Sequence, residues 1–177
     1  MRLSFSAVLL FGLAVAVVLL VAGASWKFEQ KHRAGTEPAV TAADSAAAEL
    51  VDAHIRALQP GHLTDVASAD HNTVKPWFDG RTAFSPPVPD LAAQDFPLVG
   101  ARLDVFQGRI VAALVYSRRK HFISVFIWPD ATQDMEQYAG AMNGYQWISW
   151  KHSGLRFCAV ADTNRDDLAA LKDLFNR

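Results

Sequence analysis

The sequence holds a single cysteine, Cys158, among its 177 residues, which excludes an internal disulfide and any zinc knuckle built on cysteine pairs. It has almost no net charge: 17 basic and 18 acidic residues give −1. No global field therefore exists to draw in nucleic acid or an acidic polymer. There is no glycine-rich phosphate loop and no Gly-x-Ser-x-Gly elbow, and Cys158 sits in an apolar run between Phe157 and Ala159, where a thiol is inert. No catalytic residue and no cofactor is expected. No internal repeat is visible, and no low-complexity tract beyond the alanines.

Metal ligation is the one chemistry that composition leaves open. His54, His62, Asp65, Asp70 and His71 crowd into one short interval, and imidazole with carboxylate suits zinc. Their spacing has no His-x3-His ladder and no zincin motif, so no metal site is expected from it. A periplasmic enzyme or metal-binding protein that uses this His/Asp cluster is the alternative reading, and it requires the side chains to converge on one ion position. His121 and His152 fall at strand ends and read as surface residues.

Long apolar sequence is concentrated at the start. Leu3 to Ala24 carries no charge, and as a helix it would reach about 33 Å, enough to cross a bilayer core. Ala22-Gly23-Ala24 also resembles a signal-peptide cleavage site, but the apolar stretch is longer than a usual signal h-region, which favours a retained anchor over residues 1–26. Trp26 follows at an interface position. Lys27, Lys31 and Arg33 lie after the span and only Arg2 before it, so the positive-inside count by itself would hold the rest of the chain in the cytoplasm. Residues 27–43 read as a flexible linker, and 44–177 as the folded domain.

Within that domain, Asp44 or Ser45 is expected to cap a helix running to about Leu58, with Ala47, Val51, Ile55 and Leu58 as its apolar stripe. Leu63 to Ala67 reads as a strand or turn, and Asn72 or Thr73 as the cap of one or two helical turns ending at Gly80. From Leu98 the period becomes two. Strands are expected over Leu98 to Phe106, Arg109 to Ser117, His121 to Trp128, Tyr145 to Lys151 and Leu155 to Ala161, with turns at Gln107-Gly108 and Ser153-Gly154. The polar stretch from Thr132 to Met142 reads as a short helix. Thr163 or Asn164 caps a last helix whose stripe is Leu168, Leu171 and Phe175, widened by Leu174. The expected fold is α+β: about five antiparallel strands, an N-terminal and a C-terminal helix, and helices over one sheet face.

The segment from His71 to Leu91 is the densest part of the chain. Its four prolines, Pro76, Pro86, Pro87 and Pro89, fix φ and push the residues before them, Lys75 included, toward extended geometry. Trp77 and Phe78 can wedge into the core or anchor a partner, with Trp77 expected as the main fold anchor. The basic tip Arg118-Arg119-Lys120 can meet anionic headgroups. Lys75, Trp77, Phe78, Arg118 and Arg119 are therefore the candidate partner-binding residues. The aromatics from Tyr145 to Trp150 are a further candidate patch, half of them facing the core by strand alternation.

The same segment carries a family resemblance. Val74-Lys75-Pro76-Trp77-Phe78, Phe84-Ser85-Pro86-Pro87-Val88, Phe96-Pro97-Leu98-Val99-Gly100 with Arg102-Leu103-Asp104, Ala112-Ala113-Leu114-Val115-Tyr116, Arg118-Arg119 with His121, and Trp128-Pro129 together resemble the extracytoplasmic half of proteobacterial transmembrane anti-sigma factors. The similar region runs from about Ala46 to the C-terminus. Asn72 and Ala101 stand where that pattern has histidine and a second glycine. The resemblance implies a single-pass protein of the bacterial inner membrane, with residues 44–177 in the periplasm as the sensor domain of a transcriptional regulator. It implies a protein partner there, and neither an enzyme nor a small-molecule substrate. Family members sequester their sigma factor with a cytoplasmic His-x3-Cys-x2-Cys segment, which does not precede Leu3 here, so direct sigma-factor binding is not expected.

Overall fold

The computed structural model describes residues 37–132 and 137–177, with side chains from residue 43 onward. Contacts divide the chain into two units, Met1–Ala42 and Ala43–Arg177, and the second holds the folded domain. The apolar stretch from Leu3 to Ala24 lies outside the described residues. Among the described residues no helix is long and apolar enough to cross a membrane.

The first described helix, α1, spans Glu37–Ala57. Asp44 and Ser45 lie inside it instead of capping it. The surrounding alanines, the best helix formers, carry the helix through them. After α1 come β1 (Val66–Ala67), α2 (His71–Trp77), a 3-10 turn (Ala92–Gln94), β2 (Leu98–Phe106), β3 (Arg109–Arg118), β4 (His121–Pro129), β5 (Tyr138–Met142), β6 (Tyr145–His152), β7 (Leu155–Ala161) and α3 (Arg165–Phe175). The seven strands form one antiparallel sheet in the order β1-β2-β3-β4-β7-β6-β5. It consists of two three-stranded meanders joined by β4 and β7, with β1 added outside β2.

Three hairpins close on two-residue loops in which both residues have positive φ: Gln107-Gly108 (50°, 73°), Asn143-Gly144 (53°, 85°) and Ser153-Gly154 (51°, 77°). This type I′ geometry matches the twist of paired strands. The middle loop corrects the expected helix before it. Tyr138–Met142 is a strand, with Tyr138, Gly140 and Met142 half-buried and Ala139 and Ala141 exposed. Gly140 is required opposite Trp147, because a Cβ there would lie 2.8 Å from the indole Nε1. With β1 and β5, the sheet has seven strands where five were expected.

The expectation of helices over one face is also corrected. Leu50, Val51 and Ala47 of α1 pack with Phe106, Val111, Phe126, Trp147 and Val160 on one face. Leu168, Leu171 and Phe175 of α3, with Val74, Phe78, Val88 and Phe96 of the crossover, pack with Leu114, Tyr116, Ile123 and Phe157 on the other. Covering both faces explains why the central strands read as unbroken apolar runs. It also buries both Trp147 and Trp150, so the second meander offers no exposed tryptophan patch.

The crossover is held by specific bonds. Asp70, not Asn72 or Thr73, caps α2, accepting from the Asn72 backbone N–H at 2.9 Å. Lys75 and Pro76 are helical, because Pro76 falls in the last turn of a seven-residue helix and removes at most one hydrogen bond. Tyr116 donates its hydroxyl to the Pro89 carbonyl at 2.9 Å. Asn164 caps α3 as expected, accepting from the Asp167 N–H at 2.8 Å.

Candidate functional site

Most polar side chains in this core are satisfied within the fold, and two of the exceptions meet where α1 lies against β2 and β4. His54 projects from α1 and is fully buried, its Nδ1 2.9 Å from Oγ of Ser124 on β4. Arg102, on β2, donates from Nη1 to the same Oγ at 3.2 Å and from Nε to Oδ2 of Asp104 at 3.2 Å. Its guanidinium lies 5.3 Å from the Phe126 ring centroid. With Ser124 accepting from Arg102, its own hydroxyl proton is free to bond His54 Nδ1. That order puts the imidazole proton on Nε2.

The electrostatics follow from burial. Desolvation, helped by the charge of Arg102, lowers the His54 pKa from 6.5 to about 4, so the ring is neutral near pH 7. Desolvation also lowers the Arg102 pKa, opposed by Asp104 and Asp65, while Arg56 adds repulsion. Among the described residues, His54 Nε2 and Arg102 Nη2 are both buried without a hydrogen-bond partner. A buried serine and a neutral histidine sealed from solvent form a structural clamp, with no access for a substrate.

Outside the clamp, between the C-terminal turn of α1 and β2, lies an open cleft of about 490 Å³. Arg56, His62, Asp65, Arg102 and Asp104 supply its polar wall, and Ala53, Ala57 and Leu103 its apolar wall. Its carboxylates are largely spent on the edge of β2. Asp65 accepts from the Leu103 N–H at 2.9 Å, and Asp104 accepts from the Val105 N–H at 2.9 Å as well as from Arg102. Glu49 of α1 accepts from the Gln107 N–H at 2.9 Å. Three successive outward N–H groups of this edge are thus capped by carboxylates, which blocks a further strand from pairing there.

The five side chains on which the alternative metal reading depends do not converge. His54 is in the clamp, Asp70 caps α2, and His62 and Asp65 line the cleft. Among the described residues no three His, Cys, Asp or Glu side chains are placed to share an ion. Cys158 is buried, and burial pushes its thiol up to about 12.

The five candidate partner-binding residues differ in availability. Lys75 is exposed, and Trp77 is half-buried with Arg81 stacked 5.0 Å from its ring. Phe78 is 1% exposed and belongs to the core, which removes it from any surface. Arg118 is a brace: it reaches Asp167 at 3.1 Å, the carbonyls of Gln94 and Asp95 at 3.3 and 3.2 Å, and the Phe96 ring at 4.6 Å. Arg119 is exposed, though one nitrogen lies 3.3 Å from Asp167. Of the basic tip, Arg119 and Lys120 alone face solvent.

Sequence reading did not single out Arg102, Ser124, Arg56 or Asp104 as a site. A signal existed for two of them, since Arg102 and Ser124 interrupt apolar runs in strands that are covered on both sides, and a polar group so placed needs a partner.

No family model matches this sequence, and no curated protein or solved structure matches it. The functional reading therefore rests on the residues themselves.

Proposed function

We propose that this chain is a single-pass protein of the bacterial inner membrane whose C-terminal α+β domain lies in the periplasm and works by binding. On this reading it serves signal transduction in transcription regulation, in the manner of the outer half of a transmembrane anti-sigma factor. Direct capture of a sigma factor is not part of the proposal.

One observation carries the reading. The residues that make the resemblance are those on which one face of the fold is built: Val74, Phe78, Val88, Phe96 and Leu98 are all buried in a single cluster, and Arg118 braces that cluster to α3. A resemblance carried by packing residues argues for a shared scaffold, and the function is carried over from that scaffold by analogy. Gly100 belongs to the same set, since a Cβ there would lie 2.1 Å from the Val66 carbonyl oxygen. Support for binding over catalysis comes from the chemistry of the domain, where Ser124, His54 and Cys158 are all sealed in the core. Lys75, Trp77 and Arg119 remain the surface positions for a periplasmic protein partner.

The test is topological. Alkaline phosphatase fused after Arg177 should be active in an intact cell, and a reporter that works only in the cytoplasm should be silent at the same site. The reverse pattern sinks the proposal.

A further inference from the structure

We infer that the cleft between α1 and β2 is a binding site for a small organic monocarboxylate with an apolar body. It lies apart from Lys75, Trp77 and Arg119, and it goes beyond the reading above by giving the same domain a small-molecule ligand.

The argument rests on which groups remain unspent. Asp65 and Asp104 are acceptors already engaged with backbone N–H groups and with Arg102. Arg56 is exposed, and no ion pair or hydrogen bond of its side chain is seen among the described residues. Arg102 in the wall is spent on Ser124, Asp104 and the Leu63 carbonyl, and its remaining Nη2 is enclosed by the fold, so Arg56 is the cationic fork that a ligand can reach. The surplus is therefore in donors, and a ligand that matches it must bring acceptor oxygens. A guanidinium fork is shaped for a planar carboxylate, which it can bind through two parallel bonds.

Charge then limits the ligand. Arg56 and Arg102 are balanced in the wall by Asp65 and Asp104, so a dianion such as a phosphate monoester would meet two carboxylates at close range. A monoanion would meet the free arginine fork with less repulsion. The Ala53, Ala57 and Leu103 side of the cleft supplies the apolar contact, and its volume of about 490 Å³ suits a small ligand.

The probe is benzoate, with benzamide as its neutral counterpart, titrated calorimetrically into the full chain in detergent and into the Arg56→Gln variant. Arg56 is exposed, so a thermal melt of that variant should match the parent. Saturable benzoate binding is expected, weakened about tenfold or more both by Arg56→Gln and by exchange for benzamide, as loss of a charged hydrogen-bond pair implies. Equal binding of benzamide, an unchanged affinity in Arg56→Gln, or no saturable binding of benzoate up to about 20 mM overturns the inference. None of these outcomes depends on the side of a membrane on which the domain resides, so they are separable from the reporter-fusion result.

Discussion

His54 and Ser124 are 70 residues apart in the chain and 2.9 Å apart in the fold, joined by a buried hydrogen bond between α1 and the central strand β4. The bond fixes how α1 lies on the sheet, because apolar packing by Ala47, Leu50 and Val51 is non-directional and a hydrogen bond is not. Arg102 completes the arrangement by donating to the same oxygen. Three polar groups thus set the register of one layer of the domain.

The first expectation is a pH dependence. The folded His54 pKa is depressed to about 4 from 6.5, so between those values the unfolded chain binds a proton that the folded chain does not. Stability should therefore fall as the pH is lowered from about 6.5 to 4, by roughly 3 kcal/mol from this group, and its contribution should level off below the folded pKa. Urea melts across this range measure it. The His54→Gln variant should lose most of that slope, and an unchanged slope would mean that the ring is not buried neutral.

Asp130 should act at lower pH. Its pKa is lowered from 3.8 to about 2: burial works against the shift, and bonds from Thr132 and from the Arg156 guanidinium, 2.9 Å away, outweigh it. A depressed carboxylate stabilises the fold above its ordinary pKa, and that stability is lost as the pH falls from near 3.8 toward 2. In the Asp130→Asn variant the acid limb of the stability curve should be shallower in that window alone. The His54 window should be untouched.

How far these features could be read from sequence depends on the length scale of the signal. Two of the three glycine turns, Gln107-Gly108 and Ser153-Gly154, and the α3 cap at Asn164 were legible from residue types alone, because their signals are local. The strand at Tyr138–Met142 was not, because its small and polar residues hide an alternation that matters only against Trp147. The second helical layer was missed for a related reason. Tyr145 to Trp150 alternates in a way that suggests one wet face, whereas both Trp147 and Trp150 are covered. The cleft and the clamp were the least legible, since Arg102, Ser124 and His54 meet only through pairings distant in sequence.

Gly100 gives a test of the β2 edge. A Cβ at this position would lie 2.1 Å from the Val66 carbonyl oxygen and 2.9 Å from Cγ2 of Thr64, so Gly100→Ala must push β1 off the sheet. Overpacking of this kind costs about 1 to 3 kcal/mol. Because Asp65 reaches the Leu103 N–H from the residue before β1, displacement of β1 should also uncover that amide. Hydrogen exchange at Leu103 should accelerate in the variant, while exchange in β4 and β7 follows only the global loss of stability. Unchanged protection at Leu103 would show that Asp65 holds its place without β1.

The last expectation concerns the pair Trp77 and Phe78, whose rings meet edge to face at 5.1 Å. Sequence reading assigned the anchoring role to Trp77, but the structure assigns it to Phe78, which is fully enclosed between α2 and the sheet. Helical geometry decides this. Val74 and Phe78 are four residues apart and share the inward face, leaving Trp77 at its margin with Arg81 across its ring. Phe78→Ala should therefore cost about 3 to 5 kcal/mol. Trp77→Ala should cost much less, about 1 kcal/mol from the lost cation–π contact together with the part of the ring that is buried. Denaturant melts of the two variants should differ clearly in midpoint, with Phe78→Ala the less stable. If Trp77→Ala were equally damaging, Trp77 would be a core residue and unavailable to a partner. A small loss leaves its exposed edge free, and a partner docked there should then release Trp77→Ala faster than the parent.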